Sequence, residues 1–183
     1  STTGTMPTLT VDETNVNLTA AVKDATASFA TNFALTYGAD GAATTNAVTY
    51  ALNVSAAGAD SGLKDTATGQ AVYLYMNGSA VEGRAGGVLG PVVFSVSVNS
   101  SGSVTLDQQR AIMHADPTNP DDQAILSAAN LVTLTATVTD KDGDSKSATL
   151  NIGQKLTIVD AVPTVTAERP DFPHATLRPP PAA

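Results

Sequence analysis

The chain has 183 residues, 42% of them hydrophobic, and a formal net charge of −8, which suits one ordinary domain with a hydrophobic core. Because Lys and Arg together number only nine, the chain lacks the basic surface that phosphate backbones require, and we expect no nucleic-acid binding. The absence of Cys excludes disulfides and thiolate metal sites, and no apolar run reaches the roughly 18 residues of a membrane span.

Hydrophobic and polar residues alternate along many segments, which places every second side chain on one face and predicts β-strands. The predicted strands, in chain order, include residues 9–11, 33–37, 48–54, 72–76, 94–98, 131–140, 150–152 and 156–158. A total of about eight or nine antiparallel strands, separated by turn sequences such as Asn77-Gly78-Ser79, predicts an all-β sandwich. Helix is minor, with short candidates at residues 108–113 and 127–130.

The chain divides into three predicted segments. Residues 1–8 form an N-terminal lead, residues 9–163 form the sandwich, and residues 164–183 form a Pro-rich linker or added tail. The tail carries Pro170, Pro173 and three consecutive prolines from Pro179, so we expect it to be extended or disordered. A polyproline docking peptide is the alternative interpretation.

Five stretches together resemble the Ig-like tandem repeat domains of RTX adhesins, which Gram-negative bacteria export by type I secretion. They are LTVDET (9–14), YGADG (37–41), the run from TYALNV to VEGR (49–84), VTLDQQRAIMHADPTNPDD (104–122) and the run from LSAANL to TIVD (126–160). The resemblance implies an Ig-like β-sandwich that serves as a calcium-rigidified extender, projecting an adhesive head from the outer membrane for cell adhesion or biofilm formation. It also implies a cell-surface, extracellular location and neighbouring repeats of the same polypeptide as partners. We expect a monomer in isolation and no membrane insertion of this domain.

The acidic turn Asp140-Lys141-Asp142-Gly143-Asp144 is the first predicted calcium site. Calcium takes six to eight oxygen ligands, and this turn offers three carboxylates at alternate positions beside a permissive Gly. The sequence is not an EF-hand, because Gly143 falls at the fourth position and the twelfth position is Asn151. The alternative is a hairpin turn without an ion.

The resemblance implies a second calcium site at the pole where successive domains join. Asp12 and Glu13 end the first predicted strand and Asp160 ends the last, and such carboxylates commonly meet in Ig-like strings. The alternative is that Asp12 and Glu13 are solvated surface residues. The loop at 116–122, DPTNPDD, is a weaker candidate; the remaining loop carboxylates are Asp40, Asp60, Asp65 and Asp107.

We expect no enzymatic activity. The two histidines, His114 and His174, lie in no zinc-ligand spacing, no GxSxG motif is present, and Trp for stacking on a sugar is missing. The alternative function is a ligand-binding adhesin module that recognises a glycan, a peptide or ice.

Overall fold

The computed structural model of the protein describes residues 2–14, 23–116, 118–160 and 182. Twelve β-strands and three single-turn 3₁₀ helices lie in this part of the chain. The strands are β1 (Leu9–Asp12), β2 (Lys23–Ser28), β3 (Val48–Val54), β4 (Ala59–Lys64), β5 (Ala71–Asn77), β6 (Ala80–Ala85), β7 (Val92–Val98), β8 (Ser103–Gln108), β9 (Gln123–Ile125), β10 (Val132–Thr139), β11 (Ser145–Asn151) and β12 (Leu156–Val159). The 3₁₀ helices are Ala30–Asn32, Ala129–Leu131 and Gly153–Lys155.

The strands form a sandwich, which confirms the predicted all-β class. One layer is a six-stranded sheet in the order β2-β8-β7-β6-β5-β4, and two three-stranded sheets, β11-β10-β3 and β1-β12-β9, pack on it. Strand β3 contacts β5, β6 and β7, whereas β1 contacts β2 and β8. A single hydrophobic core lies between the layers, with Phe29, Phe94 and Leu134 fully buried.

Strand β10 shows how the sequence pattern becomes a packed face. Its alternate residues Val132, Leu134 and Ala136 are buried, and the threonines between them lie on the outer face. Successive side chains of a strand point to opposite faces, so the alternation read from the sequence places the apolar set in the core. The strand predicted at residues 131–140 is therefore confirmed.

Strand β1 pairs with β12 in parallel, with Leu9 opposite Leu156 and Asp12 opposite Val159. All other strand pairs among the described residues are antiparallel. The pairing joins the two ends of the sandwich sequence and places the residues that follow β1 and β12 at the same pole.

Several predicted elements are wrong. Residues 33–37 form no strand: Phe33 makes one isolated bridge to Thr2, and residues 34–37 form no ladder with any other described residue. Residues 108–113 are not helical, because Gln108 ends β8 and Ile112 bridges to Asp65. The described residues alone form twelve strands, more than the eight or nine predicted.

Four of the five strands that the sequence did not predict have few large apolar residues. Strands β2 (KDATAS), β4 (ADSGLK), β6 (AVEGRA) and β8 (SVTLDQ) carry mostly small or polar side chains, which weakens the alternating pattern in the sequence. They form because the neighbouring strands of the six-stranded sheet supply ladder partners, so tertiary context overrides a weak local preference.

The predicted N-terminal lead is tied to the sandwich through Asn32. The amide of Asn32 is buried and donates hydrogen bonds to the carbonyl oxygens of Thr3 and Thr5, 3.0 and 3.1 Å away. The Pro-rich tail predicted at residues 164–183 lies outside the described residues, apart from residue 182. Across the described chain, no helix is long and apolar enough to cross a membrane.

Candidate metal sites

The turn between β10 and β11 is closed by Asp140. The backbone N–H of Asp140 donates to the carbonyl of Asp144 at 3.0 Å, and the N–H of Asp144 donates to Asp140 Oδ1 at 2.9 Å. Gly143 takes a positive φ of 99°, a conformation that glycine adopts without steric cost. The turn therefore holds the backbone so that its acidic side chains lie on one side.

Three carboxylates meet at this turn. Oxygens of Asp140, Asp142 and Asp144 lie within 4.8 Å of one another, and Asp142 and Asp144 are exposed. We call these three residues the turn cluster. The hydrogen bond with Asp142, partial burial and the negative charges of Asp142 and Asp144 raise the pKa of Asp140, because each of them disfavours a third carboxylate charge. A cation bound here would relieve that repulsion.

The segment at 38–43 fixes the turn from the other side. Gly41 accepts a hydrogen bond at its carbonyl from Lys141 N, 3.1 Å away, and Ala42 forms an isolated bridge with Asp140. Gly38 lies so close that a Cβ at this position would be 2.7 Å from Asp140 Oδ2. An open groove beside the cluster is lined by Tyr37, Gly38, Asp140, Asp144 and other residues, which leaves room for an ion and its waters.

The second group of ligands lies at the pole where β1 and β12 end. Glu13 follows β1, Asp160 follows β12, and His114 lies in the segment after β8; one ligand atom of each lies within 4.8 Å of the others. The parallel β1–β12 pairing continues to Glu13, whose N–H donates to the carbonyl of Val159 at 3.0 Å. We call Glu13, His114 and Asp160 the strand-end cluster.

Glu13 is buried and held on one side by two donors. Its Oε1 accepts hydrogen bonds from Gln108 Nε2 and from Ile112 N, the latter at 2.9 Å. Its Oε2 faces His114, whose Nε2 is 3.4 Å away. The two oxygens of one carboxylate therefore have different surroundings.

The side chain of His114 is buried beside several carboxylates. Burial alone lowers its pKa, but the interaction with Glu13 and the negative charges of Glu13, Asp160 and Asp122 outweigh burial and raise it. Neither ring nitrogen has a hydrogen-bond partner among the described residues.

The structure brings together most of the predicted metal ligands. Asp140, Asp142 and Asp144 converge, and Glu13 lies close to Asp160. Asp12 joins neither cluster, because its exposed carboxylate accepts hydrogen bonds from Thr14 N and Thr14 Oγ1, at 2.7 and 2.5 Å. These hydrogen bonds lower the pKa of Asp12. Calcium binding by these six residues stays a prediction.

The weaker candidate loop at 116–122 uses two of its three carboxylates internally. Asp116 Oδ1 accepts hydrogen bonds from Thr118 N and Thr118 Oγ1, at 3.0 and 2.6 Å, and Asp122 Oδ2 accepts one from Asp116 N at 2.8 Å. Asp65, another loop carboxylate, is buried and pairs with Arg110. Contacts with the protein itself therefore account for the carboxylates of Asp65, Asp116 and Asp122.

Sequence reasoning did not select His114 as a ligand. Its partners are more than 40 residues away in the chain, so no short motif marks it. The sequence contained one clue, the small number of histidines in an acid-rich chain, and that clue does not identify partners.

The comparisons with known proteins point to one family. Its description is a domain of unknown function, DUF5801, and it matches residues 8–153, which include Glu13, His114 and the turn cluster. No curated protein and no solved structure matches the chain significantly. Since the match covers most of the sequence, the chain belongs to the DUF5801 family of domains of unknown function.

Proposed function

We propose that the protein is a calcium-rigidified extender module of a large bacterial surface adhesin. It is exported to the cell surface by type I secretion, lies among neighbouring repeats of the same polypeptide, and projects an adhesive head for cell adhesion or biofilm formation. Its role is structural and not catalytic. The observation that carries the proposal is the turn cluster, where three carboxylates converge at a turn between two strands.

The turn cluster suits calcium in ligand type and position. All of its ligating atoms are carboxylate oxygens. The backbone that carries them is fixed by hydrogen bonds within the turn and by the one that Lys141 N donates to the carbonyl of Gly41. A hard cation prefers such oxygens, and exposed extracellular sites with affinities of about 10⁻⁴ to 10⁻³ M are occupied only in calcium-rich surroundings. Binding would stiffen the turn after export.

The direction of the first and last strands supports an extender. Since β1 and β12 run parallel and side by side, β1 begins at one pole of the sandwich and β12 ends at the opposite pole. A chain that enters at one pole and leaves at the other links successive modules end to end, which lengthens a string of repeats.

A ligand-binding module is the second candidate function. The observation that favours it is a ladder of paired hydroxyls on the outer face of β10 and β11, formed by Thr135–Thr149, Thr137–Ser147 and Thr139–Ser145 at 2.8, 2.7 and 2.9 Å. Regular hydroxyls suit a glycan or ice. Glycan-array binding that is lost in a Thr135→Val, Thr137→Val variant would favour this candidate over the extender.

Thermal melting with calcium and with chelator tests the extender proposal. At a calcium concentration of ten times the Kd, one site adds about 1.4 kcal/mol to the free energy of unfolding, a rise in Tm of about 3–6 °C for a domain of this size. The triple variant Asp140→Asn, Asp142→Asn, Asp144→Asn should lose this rise.

The matched control removes three exposed carboxylates elsewhere, by Asp24→Asn, Asp60→Asn and Asp121→Asn. It should keep the calcium-dependent rise in Tm, because the turn cluster is intact. A wild-type protein whose Tm is the same in calcium and in chelator would refute the calcium role.

A further inference from the structure

The strand-end cluster differs from the turn cluster because a buried imidazole lies within it. The His114 side chain is 4% exposed, the Glu13 side chain is 5% exposed, and His114 Nε2 lies 3.4 Å from Glu13 Oε2. Both ring nitrogens lack a hydrogen-bond partner in the described part of the chain. His114 Nε2 therefore contacts Glu13 without making a hydrogen bond, and since buried polar atoms in proteins are nearly always hydrogen-bonded, this nitrogen is open to a further ligand.

We propose that the strand-end cluster binds a first-row divalent transition-metal ion, with Zn²⁺ as the representative, through His114 Nε2 and one carboxylate oxygen each from Glu13 and Asp160. Imidazole nitrogen and carboxylate oxygen are common zinc ligands, whereas calcium takes oxygen ligands. The histidine therefore favours zinc over calcium at this pole, and water completes the coordination.

The geometry is compatible with this ion. Two ligands held tetrahedrally at about 2.0–2.1 Å from zinc lie about 3.4 Å apart. The separation between His114 Nε2 and Glu13 Oε2 is 3.4 Å. The half-buried Asp160 has a carboxylate oxygen within 4.8 Å of the ligand atoms of both residues.

The surroundings of Glu13 match those of a metal ligand. Gln108 and Ile112 donate to Oε1, which fixes the carboxylate and leaves Oε2 directed at His114. Ligating carboxylates are commonly held by such outer hydrogen bonds. These donors orient the oxygen whether or not an ion is present.

An ion at this position would connect three distant parts of the chain. Glu13, His114 and Asp160 follow β1, β8 and β12, and the four-residue strands β1 and β12 pair along four positions. A metal clip that closes long loops restricts the unfolded chain in the same manner as a disulfide, and the sequence has no Cys to form one. This role does not depend on calcium at the turn cluster.

Calorimetric titration of ZnCl₂ into the metal-free full chain, in excess Ca²⁺, tests the site. We expect one zinc per chain, and His114→Gln should weaken binding by more than about 100-fold. His174→Gln is the matched control, because it removes the only other histidine and should leave the affinity unchanged. Co²⁺ in place of Zn²⁺ should give visible d–d absorption bands that His114→Gln removes.

Absence of zinc binding by the wild-type chain would overturn the proposal and leave His114 as an ion-pair partner of Glu13. Unchanged zinc affinity in His114→Gln, or its loss in His174→Gln, would also overturn it. If His114→Gln fails to fold, Asp160→Asn replaces it, and undiminished zinc affinity in that variant refutes the site. The triple variant of the turn cluster should lose calcium and keep zinc, so the two sites fail separately.

Discussion

Arg110 pairs with Asp65, the residue that follows β4, through two hydrogen bonds. Arg110 Nε donates to Asp65 Oδ1 at 2.9 Å, and Nη2 donates to Oδ2 at 3.0 Å. Thr68 N and Thr68 Oγ1 also donate to Oδ2, at 3.0 and 2.7 Å. The side chain of Asp65 is fully buried, so its charge depends on these donors instead of water.

Asp65→Asn should destabilise the domain strongly. Removing one partner of a buried ion pair leaves the other charge without compensation, which costs about 3–5 kcal/mol. Urea unfolding at neutral pH measures the change. Asp60→Asn is the matched control, because Asp60 is exposed and its carboxylate accepts one local hydrogen bond, from Gly62 N; its unfolding free energy should change by less than about 1 kcal/mol.

The same pair makes stability depend on pH. Burial alone raises the pKa of Asp65. The hydrogen bonds from Arg110 and Thr68 and the charge of Arg110 outweigh burial, so the pKa is lowered overall. When the pKa of a carboxyl group is lower in the folded protein than in the unfolded chain, its charged form stabilises the fold at any pH above the unfolded-state pKa. That stabilisation is lost as the pH falls through the folded-state pKa. The difference in unfolding free energy between wild type and Asp65→Asn should shrink below about pH 4. A difference in unfolding free energy that stays constant from pH 6 to pH 2.5 would contradict this prediction.

The two faces of β10 should respond differently to truncation. Leu134 is fully buried, so Leu134→Ala should lower the free energy of unfolding by about 2–5 kcal/mol. The adjacent residue, Thr135, lies on the outer face and pairs with Thr149, so Thr135→Ala should cost less than about 1 kcal/mol. Denaturant unfolding of both variants checks the face assignment, and equal losses would refute it.

Gly38→Ala should weaken calcium binding at the turn cluster. The new methyl would lie 2.7 Å from Asp140 Oδ2, so the Asp140 carboxylate would have to move away from its neighbours. The calcium-dependent rise in Tm should fall, whereas melting in chelator should change little. Both substitutions act on the Asp140 side chain, so adding Gly38→Ala to Asp140→Asn should not reduce the calcium-dependent rise in Tm any further. If the losses of the two single variants add in the double variant, Gly38 acts elsewhere.

The sequence predicted the fold class because strands such as β10 and β3 alternate large apolar residues with polar ones. It did not predict β4 or β8, in which small and charged residues are held by ladder partners that the local sequence does not specify. The strand predicted at residues 33–37 was wrong for the opposite reason. Its residues alternate well, but within the part of the chain that the structure describes, no strand pairs with the residues after Phe33.

The turn cluster was predictable because its three carboxylates lie within five consecutive residues. The proximity of Glu13 to Asp160 was predicted from strand ends and agrees with the parallel pairing of β1 and β12. His114 was not predictable as their neighbour, since the segment after β8 reaches that pole only through the packing of the whole sandwich. Asp65 was counted as a loop carboxylate because its partner Arg110 is 45 residues away.

The parallel pairing of β1 with β12 also determines how the domain bears mechanical load. When the chain is stretched between the start of β1 and the end of β12, the two strands are drawn past each other along their length. The backbone hydrogen bonds between Leu9–Asp12 and Leu156–Val159 then carry the tension together, in shear, and no single bond opens first as in a peeled hairpin. Four residues per strand set the limit of that resistance, so any ion that locks the ends of both strands would raise the force at which they slip.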